Sequence, residues 1–217
     1  MSDAPPNDVP IEIGSIQLTP ESPDAPEQQP QPRSRVRVVL LSGLLAVAVA
    51  GGGVLAYTGW QIVTQKDATL TPPPQVGSLR LDSSEDAKDT ADYLQTAVAA
   101  EIDLDKTVGA VYTDTAGEGK DVLLFGGTAL FWTPESDLDS AFDLIDDNQG
   151  AVTELHEVDA GKLGGTMKCG TTKADAGDLT VCGWSDHGSL ALAMFNNRPE
   201  SEAAPLLRQI RDATESR

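Results

Sequence analysis

Basic residues are scarce in this chain. Fifteen Lys and Arg stand against 34 Asp and Glu, a formal net charge of −19 at pH 7. Phosphate contacts need clustered Lys and Arg, so nucleic acid is excluded as a partner. Cysteine is nearly absent as well, with only Cys169 and Cys182, and His156 and His187 are the only histidines. There is no CxxC pair, which argues against a structural zinc site. No cysteine lies near the one long apolar run, so a lipid-modified anchor is excluded there. No cofactor and no metal are expected.

The chain falls into four segments. Residues 1–32 hold eight prolines and six acidic residues but no Lys or Arg, a composition that predicts disorder. Within them "IEIGSIQL", Ile11–Leu18, alternates apolar residues like a peptide that could add to a partner's sheet edge. A chance apolar cluster in a tail accounts for the same pattern.

Residues 33–60 predict an Arg-flanked transmembrane helix. Val38–Tyr57 is a run of twenty residues without a charge. That length crosses a hydrocarbon core of about 30 Å. Arg33, Arg35 and Arg37 precede it, whereas the nearest base beyond it is Lys66, beside Asp67. The positive-inside rule then puts the tail in the cytoplasm and the C-terminal bulk outside, with Tyr57 and Trp60 in the interfacial belt. "AVA" before Gly51 offers a signal-peptidase site as the alternative, with cleavage after Ala50, although the apolar run continues past it. Small residues recur at Ser42, Ala46 and Ala50 and at Ala48, Gly52 and Ala56. They permit a weak helix-mediated homodimer, and an Ala-rich span explains them equally.

Residues 61–76 end in "TPPP", read as an extended stalk. Residues 77–217 then form an extracytoplasmic domain. Three helical patterns stand out: one opening with Ser83 as N-cap, one with Leu138, Ala141, Phe142 and Ile145 facing in, and a last one with Leu206, Ile210 and Ala213 on one face. Six strand-like runs lie between them, giving the order αββαββββα. Short connections between consecutive strands predict an antiparallel sheet packed with three helices, an α+β fold. Cys169 and Cys182 sit in neighbouring strand runs, where a hairpin register sets them opposite each other. Outside the cell membrane they would form a disulfide.

Three stretches suggest chemistry. "CGWSDHG", Cys182–Gly188, nearly spells a nucleophile elbow, but its spacing is one residue too long and a strand follows it. Adjacent strand residues face opposite ways, so Ser185, Asp186 and His187 read as a strand end and polar turn. "IDLDKTV" places Asp103, Asp105 and Thr107 at the spacing of a phosphatase motif. The segment before it reads as the end of a helix rather than the required buried strand, and a helix exit is the better account. Asp139, Asp143 and Asp146 fall along one helix face, a candidate surface for a cation or basic partner against the plain reading of a solvated face.

The acidic Pro-rich tail, the Arg-flanked Ala/Gly/Val helix and the ending "CGWSDHGSLALAMFNN" followed by an amphipathic helix resemble single-pass membrane proteins common in actinobacteria. That resemblance implies an extracytoplasmic α+β domain and no particular activity. The expected function is a membrane-tethered binding module, its partners the lipid bilayer and an envelope protein or small ligand. The alternatives are a membrane-anchored envelope hydrolase and a transmembrane regulator signalling through its short tail.

Overall fold

The computed structural model describes residues 35–117, 119–149, 151–174 and 177–217. The expected tail, with Ile11–Leu18, lies outside them, and so does Arg33. The chain divides into two units, 1–49 and 50–217.

Helix α1 spans Arg35–Gln65, five residues beyond the expected end at 60. No proline interrupts "TGWQIVTQ", and the Thr58 and Thr64 hydroxyls bond back to carbonyls three and four residues earlier. Its Ser42–Gln65 stretch, 24 residues of mean hydropathy 1.5, is long and apolar enough to cross a membrane. Tyr57 and Trp60 are exposed on it with ring centroids 6.5 Å apart. Of Arg35 and Arg37 only the helical backbone is described.

The expected stalk is corrected. Residues 66–76 belong to the folded domain, because backbone bonds tie them to it: the Thr71 N–H donates to the Thr214 carbonyl and the Leu81 N–H to the Pro74 carbonyl. Strand β1 (Thr69–Leu70) is followed by β2 (Gln75–Val76) and β3 (Leu79–Leu81), which pair as a hairpin. Val76 is buried, and the Tyr112 hydroxyl donates to the Pro73 carbonyl at 3.0 Å.

Helix α2 (Glu85–Glu101) starts one residue later than expected, since Ser84 is the N-cap and its side chain accepts from the Ala87 N–H. Strands β4 (Lys106–Asp114) and β5 (Val122–Thr128) lead to α3 (Pro134–Gln149). Next come β6 (Thr153–Val158), β7 (Thr166–Ala174), β8 (Gly177–Ser185) and β9 (Ser189–Phe195). Helix α4 (Glu200–Thr214) and β10 (Glu215–Ser216) close the chain. From α2 to α4 the order is αββαββββα. The short strands β1, β2, β3 and β10 were not anticipated, because pieces of two or three residues carry no periodic signal.

The main sheet is antiparallel with strand order β2-β3-β4-β5-β9-β8-β7-β6, and β1 pairs separately with β10. Alternation along β9 shows how it is packed. Leu190 and Leu192 enter a core with Val98 of α2 and Leu138, Phe142 and Ile145 of α3. Ala191, Ala193 and Phe195 enter the opposite core with Leu207 and Ile210 of α4. The sheet is therefore covered on both faces, and each fully buried Leu, Ile or Phe contributes about 1.5–3 kcal/mol. Cys169 and Cys182 are direct partners in the β7–β8 register, 4.1 Å apart at Cα, and form the disulfide.

Helix α4 is rotated from its expected facing. Ala213 is exposed, while Leu207, Arg211 and Thr214 point inward. An arginine 1% exposed in a helix face needs partners, and these define the site below.

Candidate functional site

The β8–β9 hairpin closes through Asp186, His187 and Gly188, the heart of "CGWSDHG". The Asp186 N–H donates to the Ser189 carbonyl at 2.9 Å. One Asp186 carboxylate oxygen, Oδ1, accepts from the Gly188 and Ser189 N–H groups at 2.8 and 2.9 Å. A short polar residue followed by glycine suits this turn, since the carboxylate bonds its own backbone.

The other oxygen meets two guanidinium groups. Arg211 Nη2 is 2.6 Å from Asp186 Oδ2, and Arg217 Nη2 pairs with the same atom. Arg211 Nε bonds Glu215 Oε2 at 2.8 Å, and Arg217 Nη2 lies 2.6 Å from Glu215 Oε1. Arg211 Nη1 donates to the Gly164 carbonyl, and Arg217 Nη1 to the Leu163 carbonyl. The Arg211 guanidinium also lies 5.6 Å from the centre of the Trp184 ring. Trp184 Nε1 donates to Ser189 Oγ, which donates to Glu215 Oε2.

Two cations and two carboxylates thus balance inside the protein, with both carboxylates fully buried. Such a cluster survives only when each charge keeps its partners, because desolvation of an unpaired ion costs several kcal/mol. Burial pushes the Asp186 carboxyl above its ordinary value, and the Glu215 charge adds to this against the opposing pull of Arg211 and Arg217. Burial also pushes Glu215 upward, but Arg211 and Arg217 outweigh it and hold Glu215 below its ordinary value.

The same turn receives the end of α1. Gln65 is buried, and its side-chain oxygen accepts from the His187 N–H at 3.2 Å. A Cβ at Gly188 would fall on the Gln65 carbonyl oxygen, so only glycine allows the helix end to come this close. Strand β1 then pairs Thr69 with Ser216 and Leu70 with Glu215. The result is a clamp that fixes the helix exit, the hairpin turn and the last residues of the sequence together.

No family model, curated protein or solved structure matches the chain. The clamp's chemistry therefore rests on its own geometry.

Ser185, Asp186 and His187 are not assembled as a triad. Ser185 Oγ is buried without a hydrogen-bond partner, Asp186 is held by arginines, and His187 Nδ1 is 2.7 Å from the Phe131 carbonyl oxygen. Asp103 and Asp105 lie in the turn between α2 and β4, and Thr107, already in β4, donates its hydroxyl to the Gln95 side chain of α2. Asp139 is 2.6 Å from Lys168 Nζ, which also pairs with Glu135 at 3.5 Å. Asp143 is exposed, and the Asp146 side chain lies outside the described residues. Among the described residues no group of three or more His, Cys, Asp or Glu could hold a metal ion.

The residues that sequence reasoning missed are Arg211, Glu215, Arg217 and Gln65. One local signal was available, the i,i+4 pair Arg211 and Glu215 at the end of an amphipathic helix. The partner Asp186 is 25 residues away in sequence, and no periodicity points to it.

Proposed function

We propose that the chain is a membrane-tethered extracytoplasmic binding module, with residues 1–32 in the cytoplasm and the α+β domain outside. The single observation carrying this reading is that a disulfide-closed domain is clamped directly to the end of a helix long and apolar enough to span a bilayer. Three arginines before the apolar run, against Lys66 as the one base between it and Arg80, favour this orientation. Asp186 and His187 of the hydrolase-like stretch are engaged by arginines and backbone groups and are not assembled with Ser185, which favours binding of an envelope protein or small ligand over hydrolysis.

A second reading is favoured by the clamp itself. A rigid helix exit can pass a change in the domain to the helix, as a transmembrane regulator requires, whereas a loose stalk would lose it.

Orientation is tested in intact cells with a membrane-impermeant maleimide and two single substitutions, Ser2→Cys and Ala116→Cys. Ala116→Cys should label at once and Ser2→Cys only after permeabilisation; the reverse pattern would overturn the proposed topology. Crosslinking capture with the full chain and a version lacking residues 1–32 then separates the readings. A partner retained by both supports the binding module, and one lost with the tail supports the regulator.

A further inference from the structure

Outside α1, the large apolar side chains that stand exposed among the described residues are Tyr93, Leu130 and Trp132. Two of these three are neighbours in the short connection between β5 and α3. Trp132 is 70% exposed and Leu130 43%, with Phe131 between them 5% exposed. Phe131 acts as a peg in the α2–α3 core, so its two neighbours are presented outward from a fixed backbone.

That backbone is tied to the helix exit. The Phe131 N–H donates to the His187 carbonyl at 3.2 Å, and the Phe131 carbonyl lies 2.7 Å from His187 Nδ1. The His187 N–H donates in turn to the side chain of Gln65, the last residue of α1. The connection is therefore two hydrogen-bonded steps from the point where the apolar helix enters the domain. Trp60 lies five residues before Gln65, about 7.5 Å back along the helix axis. A tryptophan ring held beside the exit can reach the level of that belt.

We infer that Leu130 and Trp132 form a second lipid contact, seated in the headgroup–acyl boundary of the bilayer that α1 spans. This rests on the membrane-anchor reading above. The occupant follows from position and chemistry. Tryptophan favours the membrane interface because its ring is apolar and its N–H finds polar partners there. An apolar contact also suits so acidic a chain, which cannot be drawn to a membrane by charge. With one contact from α1 and another from this loop, the domain would be held at a set tilt and not merely at a set distance.

The test uses the full-length protein in vesicles of equal parts phosphatidylcholine and phosphatidylglycerol. Single cysteines are introduced as Trp132→Cys, Val54→Cys and Ala116→Cys and labelled with an environment-sensitive fluorophore, the native disulfide being left oxidised. Lipids carrying a nitroxide near the headgroup or deep in the acyl chain serve as quenchers. Val54→Cys reports on the helix, and deep quenching there shows that the span is in the bilayer. Trp132→Cys should be blue-shifted and quenched by the shallow nitroxide, while Ala116→Cys, in the β4–β5 connection at the other end of the sheet, should not be quenched. Deep quenching at 54 with a water-exposed, unquenched 132 would overturn the lipid contact alone. A probe at 132 shielded from aqueous iodide yet untouched by lipid nitroxides would point to a protein partner and overturn it equally. An unquenched Val54→Cys would overturn the membrane anchor itself.

Discussion

Asp186 in a hairpin turn and Arg211 in the last helix meet at 2.6 Å with side-chain exposures of 0% and 1%. Everything near the helix exit is arranged around that pair. Replacing Arg211 removes the guanidinium shared by Asp186 and Glu215 and leaves Arg217 alone to balance two buried carboxylates. Arg211→Ala should therefore cost about 3–5 kcal/mol of stability. Urea unfolding of the protein in detergent checks this. The double variant Arg211→Met with Asp186→Leu should recover part of the loss, because it removes a charge of each sign from the same site.

The disulfide gives a second prediction. Cys169 and Cys182 are 13 residues apart and tie two neighbouring strands of the sheet. Converting both to alanine should lower stability by about 3 kcal/mol in the chain-entropy model. The same drop should follow reduction of the wild type, and reductant should have no effect on the double variant. Denaturant midpoints with and without reductant give both readings.

His156 provides a pH dependence. Its Nδ1 lies 2.7 Å from the Glu154 carbonyl oxygen and its Nε2 3.0 Å from the Glu200 carboxylate, so both ring nitrogens face acceptors. The backbone bond to Glu154 first, and then the Glu200 charge, raise its pKa above 6.5. Because the folded value is the higher one, the contribution is complete below about 6.5 and is lost as pH rises through the folded value. The ring is exposed and the effect on stability small, so NMR titration is the better measurement. Glu200→Gln should move the titration back toward 6.5.

Gly188 gives a fourth. A methyl group there would fall on the Gln65 carbonyl oxygen, within backbone that cannot yield easily. Gly188→Ala should push the helix end out of the clamp while leaving the β7–β8 disulfide intact. Limited proteolysis between α1 and β1 should become faster in the variant, with Lys66 as the cleavage point for trypsin.

Much of the domain could be read from the sequence because its signals are local. Leu138, Ala141, Phe142 and Ile145 recur at helical spacing and are all buried in α3. Cys169 and Cys182 flank a turn at nearly equal distances, which sets them opposite each other once a hairpin is assumed. What could not be read depends on distant partners. "TPPP" has the composition of an extended linker, and partners distant in sequence hold it against the domain: the Tyr112 hydroxyl donates to the Pro73 carbonyl, 39 residues away, and the Thr71 N–H donates to the Thr214 carbonyl. Nothing in the local pattern of α4 marks Arg211 for burial, since an arginine on an amphipathic helix usually faces solvent. Its burial follows from Asp186, Glu215 and the carbonyl of Gly164, which the fold brings together. The "SDHG" turn was legible as a turn, but its role as the seat of the α1 end was not.

The central claim is that the segment after the apolar helix is clamped to the domain and is not a free stalk. Hydrogen exchange of residues 66–76 in the full-length, lipid-reconstituted protein tests it most directly. The Thr71 N–H donates to the Thr214 carbonyl at 2.9 Å, the Ala68 N–H to Gln65 at 3.1 Å, and β1 pairs with β10. The account predicts slow exchange at Ala68 and Thr71, accelerated by Gly188→Ala and Arg211→Ala. Exchange across the segment at the rate of an unstructured peptide, unchanged by either substitution, would contradict it.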